Sequence, residues 1–278
     1  MRIRKPVLPS GWYPTHPASV EDFILKVQER IQSDPTFSQN AKACIVPHAG
    51  WSFSGTIALT ALLRLQPGPQ TLIVFGGHLG PSHQPLMLMD DGVETPLGIM
   101  SVDIGLRTML LEKIPCSSDI YQDNTVEVQL PFLHYLFPES EIIWMRLPAK
   151  LESFKIGKQI SEIIYSQHKD VRVIGSTDLT HYGPNYDFTP QGVGEKAYQW
   201  VTKVNDAEII AAVLSMDKEK VLRKATEDSA ACSVGAVLGT MGYCDGISLG
   251  KPELIAYGTS RDNYNSDSFV GYASFIWK

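Results

Sequence analysis

The chain has 278 residues, 44% hydrophobic and 19% charged, the balance of an ordinary soluble globular protein long enough to bury a large core. A net charge of −6, a pI near 5.6 and the lack of any Lys/Arg cluster exclude a nucleic-acid footprint. The opening MRIRKPVLPSGWYP has basic residues with no apolar run behind them, so no signal peptide is read, and no stretch reaches the ~18 apolar residues of a membrane span.

The elements alternate along the chain. Ser19 is placed to cap a helix whose apolar face is Phe23, Ile24, Val27 and Ile31, with Asp22 three residues after the cap. A strand over Ala43–Val46 precedes a helix over Thr56–Leu65, and a strand over Thr71–Phe75 follows. Ile104–Leu111 and Val126–Leu136 read as helices, although Val126, Val128 and Leu130 also alternate. A strand over Ile142–Leu147, a helix over Glu152–Tyr165 and a strand over Val171–Ile174 come next. A long helix over Glu195–Leu214, an apolar helix over Ala231–Met241 and strands over Leu254–Tyr257 and Phe269–Ile276 complete the order. Strands alternating with helices predict a sheet covered by helices on both faces. With no internal repeat or long linker, one domain over residues 1–278 is the economical reading.

Three of these strands end in chemistry. Ala43–Val46 runs into PHAGW and delivers His48; Thr71–Phe75 runs into GGHLG and delivers His78; Val171–Ile174 runs into GSTDLTHYG and delivers Asp178 and His181. In an open α/β sheet the ligand crevice lies beyond the carboxyl ends of the strands. A lone histidine in a glycine-rich loop is usually structural, but three in matching context point to one shared site. His16, His83, His134 and His168 lack that context and read as surface or packing residues.

Two histidines with a third anionic group form a recurring ligand set for Fe(II) and Zn(II). The third group is either Asp178 or the Cys232 thiolate, which stands in EDSAACSVGAVLG near a helix start. Its bland alternative is a small buried hydrophobe. The four cysteines, Cys44, Cys116, Cys232 and Cys244, show no C-x-x-C spacing, which fits a reducing cytoplasm and excludes a zinc ribbon. A hydrolytic pair of Ser176 or Ser52 with His181 is disfavoured because G-x-S-x-G is absent.

The ordered set PHAGWSFSG, GGH after a strand, VEVQLPFL, STDLTHYG, a cysteine before a glycine-containing helix and the closing VGYASF resembles the Memo family. RKPVLPSGWYP is similar to that family's usual start, so the resemblance spans nearly the whole chain. Memo proteins are similar in fold to class III extradiol dioxygenases, which hold non-haem Fe(II) at the strand edge of an α/β/α sandwich. The resemblance therefore implies a single-domain three-layer α/β/α sandwich. It implies His48 and His78 as metal ligands, with Cys232 completing the set where the dioxygenases place a carboxylate. Asp178 and His181 would line the same pocket, His181 as acid/base and Asp178 as the residue that holds it. Glu127, Trp51 and Tyr182 are expected as further pocket-lining residues without assigned roles.

The family's usual E-H-S is replaced here by Asp123-Asn124-Thr125, so an amide stands where a histidine is usual. A thiolate makes the site softer, and Cu or Zn becomes an alternative to Fe(II). Two functions follow from the resemblance. One is a metal-dependent, dioxygenase-like oxidoreductase. The other is a non-catalytic metal- or phosphopeptide-binding module. Microbial relatives imply work alongside radical-SAM and AMMECR-type partner proteins.

Overall fold

The computed structural model describes residues 1–278. Its centre is four parallel strands, in the spatial order Ala43–Val46, Val171–Ser176, Thr71–Leu79 and Glu141–Pro148. Phe269–Trp277 joins one side antiparallel and itself pairs with Glu253–Thr259 and the two-residue strand His181–Tyr182. Leu86–Met87 and Ser117–Ser118 extend the other side. A separate small sheet joins Ile3–Arg4, Gly92–Thr95 and Gly98–Ser101.

The central strands are buried on both faces, which is why they read as continuous apolar runs instead of alternating ones. Ala43, Ile45, Ile73, Phe75 and Val173 face one core, roofed by the helices Ile104–Lys113, Glu152–Ser166, Asp206–Leu214, Lys218–Glu227 and Val234–Gly246. Cys44, Val46, Leu72, Val74 and Ile174 face the other, beneath the helices Pro17–Gln32, Thr56–Leu62 and Leu130–Leu136. The predicted three-layer α/β/α sandwich is present.

Several boundaries differ from expectation, each for a local reason. The first helix starts at Pro17, not after Ser19, because a proline at the first helical position loses no hydrogen bond. Asp22 does not cap; it pairs with Lys26 one turn on, at 2.6 Å. The predicted helix Val126–Leu136 is broken into Asn124–Glu127 and Leu130–Leu136, with Pro131 in the first turn of the second piece. Glu195–Leu214 is interrupted by a π-helical turn at Val201–Asn205, and another at Trp51–Gly55 leads into Thr56–Leu62. The last predicted helix runs over Val234–Gly246, which leaves Cys232 just outside it. Lys218–Glu227 was not expected; Asp217 caps it by accepting the Lys220 N–H at 3.0 Å.

Helices Glu152–Ser166 and Val234–Gly246 touch backbone to backbone. A Cβ on Gly157 would lie 1.9 Å from the Gly239 carbonyl oxygen, and one on Gly242 would lie 1.9 Å from the Phe154 carbonyl oxygen. Glycine at these points lets the two helices close to backbone contact.

Candidate metal centre

The three chemistry-bearing strands are immediate neighbours, with Val171–Ser176 in the middle, so their carboxyl ends open onto one place. His48 and Asp178 each stand two residues beyond their strand. His78 departs from the expected position: the strand Thr71–Leu79 continues past it, and its φ of +58° is left-handed. This conformation is uncommon for a residue with a side chain and concentrates at functional sites. The two preceding glycines explain the GGH spelling. A Cβ on Gly76 would come 2.2 Å from Thr125 Oγ1, and one on Gly77 would come 2.4 Å from the Ser233 Cβ. Only bare backbone lets Cys232–Ser233 and Thr125 close in beside His78.

His48, His78 and Cys232 come together, their candidate ligand atoms all within 4.8 Å of one another. Cys232 Sγ is 3.2 Å from His48 Nε2. On the far side of each ring, His48 Nδ1 is 3.2 Å from Ser176 Oγ and His78 Nδ1 is 2.9 Å from Asp123 Oδ2. Both imidazoles are thus held by their Nδ1 atoms, leaving Nε2 to face inward, the usual arrangement behind a metal-binding histidine. Asn124 Nδ2 donates to the His48 carbonyl at 2.9 Å, so the residue standing where the family has histidine supports the site's backbone.

Asp178 is buried and its Oδ1 accepts the His48 backbone N–H at 2.7 Å. Its Oδ2 lies 3.8 Å from His48 Nε2 and 3.7 Å from His181 Nε2. Asp178 therefore anchors the His48 loop and stands close enough to His181 to act on it through charge. His181 Nε2 is buried with no hydrogen-bond partner. An inward-facing nitrogen left unpaired beside three donor groups fits a metal-bound or substrate atom. Neither Ser176 nor Ser52 bonds it, and Ser176 is committed to His48 and Gln129.

Burial works against the charge on His78, but the hydrogen bond to Asp123 and the Cys232 sulfur outweigh it and raise its pKa to about 10. His181 is likewise opposed by burial and raised to about 10 by Asp178 and Cys232. For Cys232, burial favours the thiol, yet His48, His181 and His78 together hold it well below the ordinary thiol range. Three imidazoles around one sulfur favour its thiolate form, the form in which a cysteine ligates a metal.

Behind His78 lies a charge network that sequence reasoning missed. Arg146, 4% exposed, sits 3.2 Å from Asp123 Oδ2 and 3.3 Å from Asp119 Oδ1. Thr125 also bonds Asp123 through both its N–H and its hydroxyl. The available signal was an arginine inside the otherwise apolar strand EIIWMRLP, since a buried charge is rarely unpaired.

The site opens into a cavity of about 710 Å³. His48, His78, Asp178 and His181 form its floor, with Trp12, Phe53, Tyr186, Tyr264 and Tyr272 among its walls. No Lys or Arg lines it. Glu127, Trp51 and Tyr182, expected in the lining, are all absent from it. Trp51 is buried against Phe132, stacked at 3.6 Å, and Tyr182 packs in a small cluster with Phe269. Both are apolar bodies taken by cores. Glu127 is buried beneath the N-terminal segment.

Comparison with known proteins supplies the family. The profile described as Memo-like protein matches residues 4–276. The chain belongs to the Memo family. Among its relatives, a MEMO1 family protein of Methanococcoides burtonii is 29% identical over 282 residues, covering 99% of this chain and 100% of that one. Those of Pyrobaculum arsenaticum and Pyrococcus furiosus are 28% and 30% identical, each alignment covering at least 99% of both chains. An uncharacterized protein of Escherichia coli K12, solved by crystallography, is similar in fold, with a TM-score of 0.51 at 14% identity over 85% of this chain and 99% of that one. Memo membership and the α/β fold are thus common ground between sequence and structure. No helix is long and apolar enough to cross a membrane.

Proposed function

We propose that this Memo protein binds one divalent metal ion, Fe(II) by preference, on His48, His78 and Cys232, and uses it in a redox reaction. The observation that carries the reading is the convergence of those three donors, each histidine braced at its outer nitrogen. The donor set of two imidazoles and one thiolate suits Fe(II), Zn(II) and Cu(I). Three protein ligands leave coordination positions free, unlike a structural zinc site closed by four. The cavity above them gives a substrate room to reach that open side. A bound Fe(II) would supply Lewis acidity and a one-electron couple.

This chain's own residues supply the rest. His181, at the cavity floor with its Nε2 unpartnered, is the proton-handling group, and Asp178 favours its protonated form through space. A phosphopeptide reading is less well supported: a phosphate entering the cavity would meet imidazoles, hydroxyls, amides and the Asp178 carboxylate, without the Arg cluster such recognition uses. The four cysteines are free thiols, which supports a cytoplasmic setting. Radical-SAM and AMMECR-type partners remain part of the proposal through the family resemblance.

Elemental analysis of protein purified without oxygen and without an affinity metal tests the assignment. Near-stoichiometric iron is expected, falling at least tenfold in Cys232→Ser and in His48→Ala. Full metal content in both variants would refute the ligand set.

A further inference from the structure

The chain between Ile3–Arg4 and the helix Pro17–Gln32 has no regular secondary structure, yet it is fastened at defined points. Glu127 is 3% exposed and has no cationic partner. Its Oε1 accepts the Val7 N–H at 3.1 Å, the Leu8 N–H at 3.0 Å and the Tyr13 hydroxyl at 2.9 Å, and its Oε2 accepts Val7 at 3.0 Å. A buried carboxylate is tolerated only where several donors replace its water. Further along, the Trp12 carbonyl accepts the Trp51 N–H at 2.8 Å. Between these fasteners, Ser10, Gly11 and Trp12 line the cavity over the histidines. Gly11 has a φ of +102°, so the segment bends there in a way that suits glycine.

The helical turn that carries Glu127 also carries the residues behind the site. Asp123 caps it and bonds His78, and Asn124 opens it and bonds the His48 carbonyl. One turn of chain thus sets both the ligand histidines and the N-terminal segment.

We propose that Glu127 is a positioning residue that holds Val7–Tyr13 as a strap across the cavity, and that Trp12 on this strap decides which ligands reach the histidines. The clamp stands on hydrogen bonds alone; the selective role of Trp12 rests on the reading of this cavity as the substrate site. Burial and the neighbouring carboxylate both push the Tyr13 hydroxyl upward, so it remains a donor at any working pH.

Two readouts on the full-length protein as purified test this, and neither needs metal or activity. The first is amide hydrogen exchange. In Glu127→Gln the amides of Val7, Leu8 and Trp51 are expected to exchange at least tenfold faster, while those of Thr71–Leu79 and Val171–Ser176 keep their rates. The second is modification by diethylpyrocarbonate, mapped by mass spectrometry. His181 is expected to react at least threefold faster in Glu127→Gln and in Trp12→Ala, with His16 and His168 as unchanged controls. Trp12→Ala is expected to leave Val7 and Leu8 exchange as it was, because it opens the wall without cutting the clamp. Unchanged exchange in Glu127→Gln, or acceleration spread through the sheet, would overturn the clamp. An unchanged His181 rate in both variants would overturn the wall. Should Glu127→Gln not fold, Tyr13→Phe removes one fastener and is expected to shift the same amides by a smaller factor. A metal-free protein that passes both tests would reject the proposed redox function and keep the strap.

Discussion

Asp123 touches no cavity atom of its own, yet it fixes the ring of His78 and is itself held by Arg146 and Thr125. Replacing it by alanine leaves His78 free to rotate and Arg146 buried beside one carboxylate fewer. Metal affinity is expected to fall about 10–100-fold, read by competition with a chromophoric chelator. A second residue makes a pH-dependent contribution. Asp206 is fully buried, accepting from Thr180 N–H at 3.2 Å and from Tyr257 hydroxyl at 2.8 Å. Burial raises its pKa from 3.8 to about 6 against those hydrogen bonds, with His181 near enough to pull it down. A carboxyl raised on folding stabilises the native state fully below its unfolded value, and that contribution is lost as pH rises through the folded value. The cost at pH 7 is on the order of 3 kcal/mol. Asn at this position keeps an acceptor for Thr180 and offers a donor to Tyr257. Asp206→Asn is thus expected to flatten the loss of stability between about pH 4 and about pH 6, measured by urea unfolding across that range. At this scale the sequence displayed His48, His78, Asp178 and His181, because glycine-flanked polar residues after apolar runs stand out, whereas Cys232 was singled out over Asp178 as the third ligand only by the family resemblance. Asp123 and Arg146 did not stand out as a pair, since their partnership depends on two segments meeting in space.

Among the elements, the seam between Glu152–Ser166 and Val234–Gly246 is the tightest. Gly157→Ala or Gly242→Ala places a methyl where a carbonyl oxygen already sits, and the helices must separate. Each is expected to destabilise by about 1–3 kcal/mol in thermal or urea unfolding. A shift of the helix Val234–Gly246 would also move Cys232 at its head, so metal content should fall with stability. Apolar periodicity made most elements readable, with errors at their ends. Pro131 breaking Val126–Leu136 was visible in the sequence and simply outweighed by the apolar run around it. The π turns at Trp51–Gly55 and Val201–Asn205 carry no local signature, because one extra residue in a turn is fixed by what the flanking side chains must reach.

Across the whole molecule, both cores share one sheet whose strands alternate their side chains between them. We therefore propose a single cooperative unit, and expect one unfolding transition with tryptophan fluorescence and far-ultraviolet circular dichroism superimposable. Two separated transitions would refute that. The alternation of strands and helices disclosed the layered class, while the order that makes Ala43–Val46, Val171–Ser176 and Thr71–Leu79 neighbours was not readable from it. Pairing of distant parallel strands is set by which helical faces pack, not by any local pattern.

That order has a consequence for the protein's birth. His48 and Cys232 touch across 184 positions of chain. At about 5–20 residues per second, a ribosome takes roughly 10 to 40 s to travel between them. During that interval the nascent chain offers imidazoles without the sulfur that completes the set, and without the helix Val234–Gly246 that carries it into place. The donor set is assembled only once synthesis is nearly over, so an ion bound there would be a late arrival to an almost finished structure, unlike the ion of a zinc finger, which organises the chain around itself.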